Sequence, residues 1–271
     1  MENYNIIRKL GRGSFGTAFL AKCKEKGDLV VIKEILTNDK AKVMEEAEIL
    51  KKMNHEYIIG FREAFENSKG NVCIVMDYAD GGTIEESIRT AKRLNVYLKE
   101  DLILDWFTQI WLAVKHVHDQ KIIHRDLKSE NIFLMKDDNS IRLGDFGVSR
   151  ILEYTDAMAD TLIGSPFYTS PEIFEGRAYT SKTDIWSLGV LLYHIATLKY
   201  PIAARNIQAI GIAVVYFKGV PELPKQYSRT IKDLIDSMLQ VDESKRPTIN
   251  DILDHEAIQD RHENYESSSP K

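Results

Sequence analysis

The apolar residues of this chain change their spacing once, and that change restricts the fold before any motif is considered. Before Met76 they gather in short runs: Thr17 to Lys22, Leu29 to Lys33, and another beginning at Val72. Short runs separated by turn residues such as Lys26-Gly27-Asp28 predict strands, and the first two predict a hairpin. One segment interrupts them. From Lys40 to Met53, behind Asn38 and Asp39 as caps, Val43, Ala47, Leu50 and Met53 recur at helical spacing. Around Met76-Asp77-Tyr78-Ala79-Asp80-Gly81-Gly82 a strand gives way to a flexible glycine pair, and beyond Glu85 helical patterns dominate. The implied class is α+β, with a lobe boundary near that linker. At 271 residues, 44% of them hydrophobic, the chain is long enough to fill two lobes.

Composition narrows the function. A net charge of −5 argues against generic nucleic-acid binding. The two cysteines, Cys23 and Cys73, lie far apart, and Met1 to Leu10 lack the long apolar core of a signal peptide, so a reducing cytoplasm is expected. The longest apolar stretch, Ile185 to Leu198, is broken by Ser187 and His194 and falls short of the roughly 20 residues a membrane span needs. It predicts a buried core helix. The segment from Gln259 to Lys271 is rich in Ser, Glu and Asn without apolar periodicity, and a mobile polar tail is expected there.

Two loops carry the chemistry. His124-Arg125-Asp126-Leu127-Lys128-Ser129-Glu130-Asn131 precedes Asp145-Phe146-Gly147 by about a hairpin. Together they supply a base, a cation and two oxygen ligands for metal, which is what moving a phosphoryl group from ATP to a hydroxyl requires. In that reaction Asp126 orients the hydroxyl and takes its proton, Lys128 sits against the transferred phosphoryl, and Asn131 and Asp145 hold Mg2+. Upstream, Gly11-Arg12-Gly13-Ser14-Phe15-Gly16 lets the backbone pass close over phosphates. Dinucleotide-binding folds share that spacing but follow it with a helix, whereas Thr17 to Lys22 predicts a strand. Lys33 ends the next strand, and a buried ammonium there needs a carboxylate. Glu46, on the edge of the apolar stripe of the following helix, is the expected partner; Glu45 and Glu48 fall towards solvent.

These residues resemble those of a eukaryotic protein kinase catalytic domain. Ser170-Pro171-Glu172, Asp184-Ile185-Trp186-Ser187-Leu188-Gly189 and Arg246-Pro247-Thr248 extend the resemblance across residues 4 to 258. Lys128 and Gly164-Ser165-Pro166 resemble the serine/threonine branch. Asn131-Ile132-Phe133-Leu134, Gly144 and the run from Gly164 to Glu172 are most similar to the NIMA-related kinases. The resemblance implies a small antiparallel N-lobe sheet with one helix, residues 4–78, and a larger, mainly helical C-lobe, residues 79–258. It also implies ATP and Mg2+ as cofactors and proteins with Ser or Thr acceptors as partners, with no nucleic acid and no membrane. A nucleotide-binding pseudokinase is the alternative, opposed by the complete set Lys33, Glu46, Asp126, Asn131 and Asp145.

By the same resemblance Met76 is the gatekeeper, Asp77 and Ala79 offer backbone groups to adenine, and Leu10, Ala18, Val31 and Phe133 enclose the ring. The common pattern has Val at 18 and Ala at 31; either the roof is re-cut at constant volume or the positions drift neutrally. Thr83 replaces a frequent acid and weakens any preference for an upstream arginine, while Glu130 remains as an acidic contact for a peptide. Thr161 is the expected activation site, its phosphate drawn to Arg125 and Arg150, whether added by an upstream kinase or by the chain itself. Ser165 is expected to contact Asp126 and Lys128, so its modification would inhibit. Glu172 with Arg246 should form a buried pair, and Asp184 should hold the backbone of His124 and Arg125. Leu50, Phe61, Phe146 and His124 should form a column between the lobes, and Phe61 lacks the hydroxyl with which a tyrosine there could pin an inactive state.

Overall fold

The computed structural model describes residues 2–13, 16–145, 166–255, 258, 259 and 261. Five strands form an antiparallel sheet: β1 (Tyr4–Gly13), β2 (Gly16–Cys23), β3 (Leu29–Ile35), β4 (Phe61–Glu66) and β5 (Val72–Asp77), in the order β1-β2-β3-β5-β4. The glycine loop is therefore followed by a strand, and Gly27 turns β2 into β3 as expected. Alternation sorts the side chains onto two faces. Ile35, Val72 and Ile74 pack on Val43 and Ala47 of α1 (Lys40–Lys52), while Ala21, Val30, Ile32, Cys73 and Val75 form a second cluster with Tyr4 and Phe65. The Asp39 carboxylate accepts the Lys42 N–H and starts α1; Lys51 and Lys52 suit the negative end of its dipole.

Past the linker come α2 (Ile84–Leu94), α3 (Glu100–Asp119), the short ribbon β6 (Ile132–Leu134) and β7 (Ile141–Leu143), α4 (Pro171–Phe174), α5 (Ser181–Thr197), α6 (Ile207–Val215), α7 (Arg229–Met238) and α8 (Ile249–Leu253). Every residue of α5 from Thr183 to Thr197 is buried, so its sequence is apolar on all sides, as predicted for a core helix. Helices α3 and α7 pack against it, and α7 turns Ile231, Leu234, Ile235 and Met238 inward. A Cβ on Gly189 would stand 2.9 Å from Leu239, so the glycine brings the chain after α7 close to α5. Among the described residues no helix is long and apolar enough to cross a membrane.

Two connections fix the sheet to the helical part. The Gly81 N–H donates to the Leu134 carbonyl at 2.8 Å, and the Leu134 N–H donates to the Gly82 carbonyl at 2.9 Å. This close approach needs glycine, since a Cβ at 81 would lie 2.7 Å from the Leu134 oxygen. Met53, Tyr57 and Ile58, in the loop after α1, belong to the large helical core. At the other end Arg261, placed by its sequence in the expected tail, pairs with Asp101 at 2.6 Å and with Asp105, both on α3.

Candidate active site

The loop between α3 and β6 is held from below by one carboxylate. Asp184, in the first turn of α5, accepts the His124 N–H at 2.9 Å and the Arg125 N–H at 3.0 Å, and it lies 2.8 Å from His118 Nε2. Arg125 adopts φ 69°, a left-handed conformation unfavourable for a residue with a Cβ, and these bonds hold it there. Burial pushes the His124 imidazole below its ordinary pKa, and the neutral ring has one consistent tautomer. Nε2–H donates to the Gly144 carbonyl at 3.2 Å, which leaves Nδ1 to accept the Asp126 N–H at 3.3 Å.

Asp126 is thereby presented with its carboxylate between two donors. Lys128 Nζ lies 2.7 Å from Oδ2, and Asn131 Nδ2 donates to the same oxygen and to the Asp126 carbonyl, each at 2.8 Å. The Asn131 amide nitrogen is thus committed to Asp126, which fixes the orientation of its side chain. Asp145, with φ 50°, follows Gly144, whose hypothetical Cβ would stand 2.7 Å from the Phe133 ring. Phe133 and the turn at Gly144 therefore lie in close contact.

Lys33 meets this loop from above: its ammonium is 2.5 Å from Asp145 Oδ1. Glu46 lies on α1, but its side chain falls outside the described residues, and so does the expected Lys33–Glu46 pair. Strand register places Ala18 opposite Lys33, and sets Val31 opposite both Leu20 and Met76. Leu50, Phe61 and Met76 line a small cavity with Lys33 and Asp145. Leu10 is exposed on β1, Ala79 is buried in the linker, and Gly13 pairs with Gly16 across the loop. A Cβ on Gly16 would fall 1.8 Å from the Glu34 carbonyl oxygen, whereas one on Gly11 would meet nothing described within 4 Å. Gly16 is needed for packing, whereas no described neighbour requires glycine at 11.

Thr83 has a local task. Its hydroxyl accepts the Glu86 N–H at 3.2 Å while the Thr83 N–H donates to Glu86 Oε2 at 3.1 Å, a capping box that starts α2. Below the catalytic loop, Glu172 and Arg246 form the expected buried pair, two bonds of 2.8 Å with both side chains fully shielded from solvent. Burial raises the Glu172 pKa, but the Arg246 guanidinium outweighs it and holds the carboxyl below its ordinary value.

A polar chain with no signature in the sequence runs beside Lys128. Ser129 Oγ donates to Glu85 Oε2 at 2.7 Å; the Tyr168 hydroxyl lies 3.1 Å from that Oγ and 3.0 Å from His194 Nδ1. The Ser129 hydroxyl proton goes to the carboxylate and the Ser129 N–H donates to the Tyr168 hydroxyl at 3.4 Å, so the one proton of Tyr168 is shared between two neighbours, Ser129 Oγ and His194 Nδ1. The Arg125 guanidinium also lies over the Tyr179 ring, 5.6 Å from its centroid. Phe146, Arg150, Thr155, Asp160, Thr161 and Ser165, with Ser14 and Phe15, lie outside the described residues.

A model of the protein kinase domain matches residues 4–258. The chain belongs to the protein kinase family. This kinase domain is 42% identical over 258 residues to serine/threonine-protein kinase Nek5 of Homo sapiens, covering 93% of the chain and 36% of the relative. It is 42% identical over 270 residues to serine/threonine-protein kinase Nek1 of Mus musculus, covering 98% of the chain and 22% of the relative. A probable serine/threonine-protein kinase nek3 of Dictyostelium discoideum is 40% identical over 263 residues, with 94% and 23% covered. The kinase domain thus groups with the Nek, or NIMA-related, kinases and spans between about a fifth and two fifths of the length of these relatives.

Proposed function

We propose that this kinase domain transfers the γ-phosphate of ATP to Ser or Thr hydroxyls of protein substrates, with Mg2+ as cofactor. The observation that carries the reading is Asp126, held by Lys128 and Asn131 in a loop that Asn131 ties by its carbonyl to Gly144, beside the Lys33–Asp145 pair. Asp126 Oδ1 or Oδ2 orients the acceptor hydroxyl and takes its proton as the bond to phosphorus forms. Lys128, already beside that carboxylate, balances charge on the transferred group. Lys33 turns from Asp145 to the phosphates, with Glu46 as its partner on α1. The donor set fits a hard cation, because the Asn131 amide oxygen and the Asp145 carboxylate are oxygen ligands of the kind Mg2+ takes alongside phosphates and water. When bound, Mg2+ supplies neutralisation of phosphate charge. The backbone of Gly11, Gly13 and Gly16 suits phosphates, and Met76, Asp77, Ala79, Val31, Ala18, Leu10 and Phe133 suit the purine.

Regulation follows from the segment between Asp145 and Glu172. Phosphate on Thr161, added by an upstream kinase or by the chain itself, would draw Arg125 and Arg150 together, and Arg125 would then exchange its contact with Tyr179 for an ion pair. The cytoplasm is the proposed compartment, supported by the unpaired cysteines Cys23 and Cys73.

The test is transfer of labelled phosphate from Mg-ATP to a basic protein, comparing the chain with Asp126→Asn. Label on serine or threonine, lost by at least about a hundredfold in the variant, is expected. Nucleotide binding without transfer, even with glutamate at 161, would replace the reading with that of a pseudokinase.

A further inference from the structure

Arg62 does not fit the regular ladder of its own strand. Phe61 pairs with Met76 and Glu63 with Val75, so Arg62 is an extra residue in β4, a bulge. Bulges re-aim side chains, and this one sends a guanidinium across the end of the sheet. Nε donates to Asp77 Oδ1 at 2.6 Å, and Nη1 lies 2.5 Å from Asp28 Oδ2. Asp77 is fixed from two further directions. Its N–H donates to the Gly60 carbonyl at 2.9 Å, and a Cβ at residue 60 would stand 2.2 Å from Asp77 Oδ2. The carboxylate thus occupies space that exists because residue 60 is glycine. Asp28 sits just before β3, the strand of Val31 and Lys33, and its carbonyl accepts the Cys23 N–H at 2.9 Å.

One planar side chain therefore joins the last residue of β5, where the linker begins, to the start of the strand that forms the pocket roof. A guanidinium suits this place because its fork can serve two carboxylates at once, which an ammonium cannot do at fixed geometry. We propose that Arg62 is a positioning residue for purine recognition, acting through Asp77 on the linker and through Asp28 on the roof. The proposal rests on the kinase reading above. Purine contacts depend on backbone atoms held to fractions of an ångström, whereas phosphates are held from the glycine loop and Lys33, so loss of Arg62 should weaken base selection and spare phosphate binding.

The experiment measures affinities of the whole chain for Mg-ATP and Mg-UTP by calorimetric titration, in the wild type, Arg62→Ala, Arg62→Lys and Asp28→Asn, each checked for thermal unfolding. The wild type should prefer ATP. Arg62→Ala should weaken ATP binding by about tenfold with UTP unchanged, and Arg62→Lys and Asp28→Asn should lose part of the preference. If every variant that folds keeps the wild-type ratio, even with a lowered melting temperature, Arg62 merely braces the sheet and the proposal falls. A wild type that does not prefer ATP would overturn the kinase reading, and this one with it.

Discussion

Arg246 uses all of its N–H groups: Nε donates to the Gln240 carbonyl, Nη1 to Glu172 and the Lys182 carbonyl, and Nη2 to Glu172 and the Val241 carbonyl. Its guanidinium carbon also lies 5.2 Å from the Trp186 ring centroid. A buried ion pair gains little over apolar packing, but half of one is costly, since the remaining charge keeps its desolvation penalty. Arg246→Met should therefore lower the unfolding free energy by about 3–5 kcal/mol. The double replacement with Glu172→Met should cost markedly less, as urea titration of both would show. Equal losses would mean that the five donors, rather than the charge on Glu172, set the penalty. Because the Glu172 pKa is depressed in the folded chain, its share of stability is present above the ordinary carboxylate value and disappears as pH falls through the folded one. The pairing of 172 with 246 was expected from sequence, whereas Lys33 offered a different lesson. Its place at the end of a strand called for a carboxylate, and Asp145 supplies one from 112 positions away, where no local pattern reaches; the expected partner Glu46 has its side chain outside the described residues.

At the scale of elements, β2, β3 and β5 were legible as short apolar runs, helix α1 through the helical spacing of its apolar residues, and helix α5 as the longest apolar stretch. The bulge at Arg62 was not, because one extra residue in β4 is visible only against its partner strand. The chain from Glu85 through Ser129 and Tyr168 to His194 was hidden for the same reason: it joins α2, the catalytic loop, the segment before α4 and α5 across separations of 44, 39 and 26 residues. Tyr168 is its middle link, and burial pushes the phenol well above its ordinary pKa, so the hydroxyl remains a donor throughout the usual pH range. Tyr168→Phe would take away the hydroxyl that meets the Ser129 N–H, Ser129 Oγ and His194 Nδ1. A loss of about 1–3 kcal/mol in unfolding free energy is expected. Ser129 adjoins Lys128, so a fall in kcat with little change in KM for ATP should accompany it; steady-state kinetics showing unchanged kcat would detach the chain from the catalytic loop.

Across the whole molecule, neutral histidines link parts that must stay docked. His55, in the loop that carries the end of α1 into the helical core, accepts the Tyr57 N–H through Nδ1 at 3.1 Å, and its ring centroid lies 5.0 Å from that of His116 on α3. Burial, then the charges of His116 and Arg142, lower its pKa to about 4. His194, within α5, is lowered to about 4, chiefly by burial. His124 is lowered by burial as well. The unfolded chain binds these protons near the ordinary imidazole value of 6.5 and the folded chain does not. Stability from this source is therefore complete above pH 6.5 and falls as pH drops towards 4, by about 3 kcal/mol for His194 alone at the end of that window. His55 is partly solvent-facing and contributes in the same direction with a smaller effect. Urea unfolding at pH 7 and pH 4.5 should show the loss. His194→Gln, less stable at pH 7 because the imidazole packing and the bond to Tyr168 are altered, should lose less on acidification than the parent. Parallel losses in parent and variant would show that His194 takes up its proton without unfolding, and would shift the acid sensitivity of the fold to its carboxylate pairs.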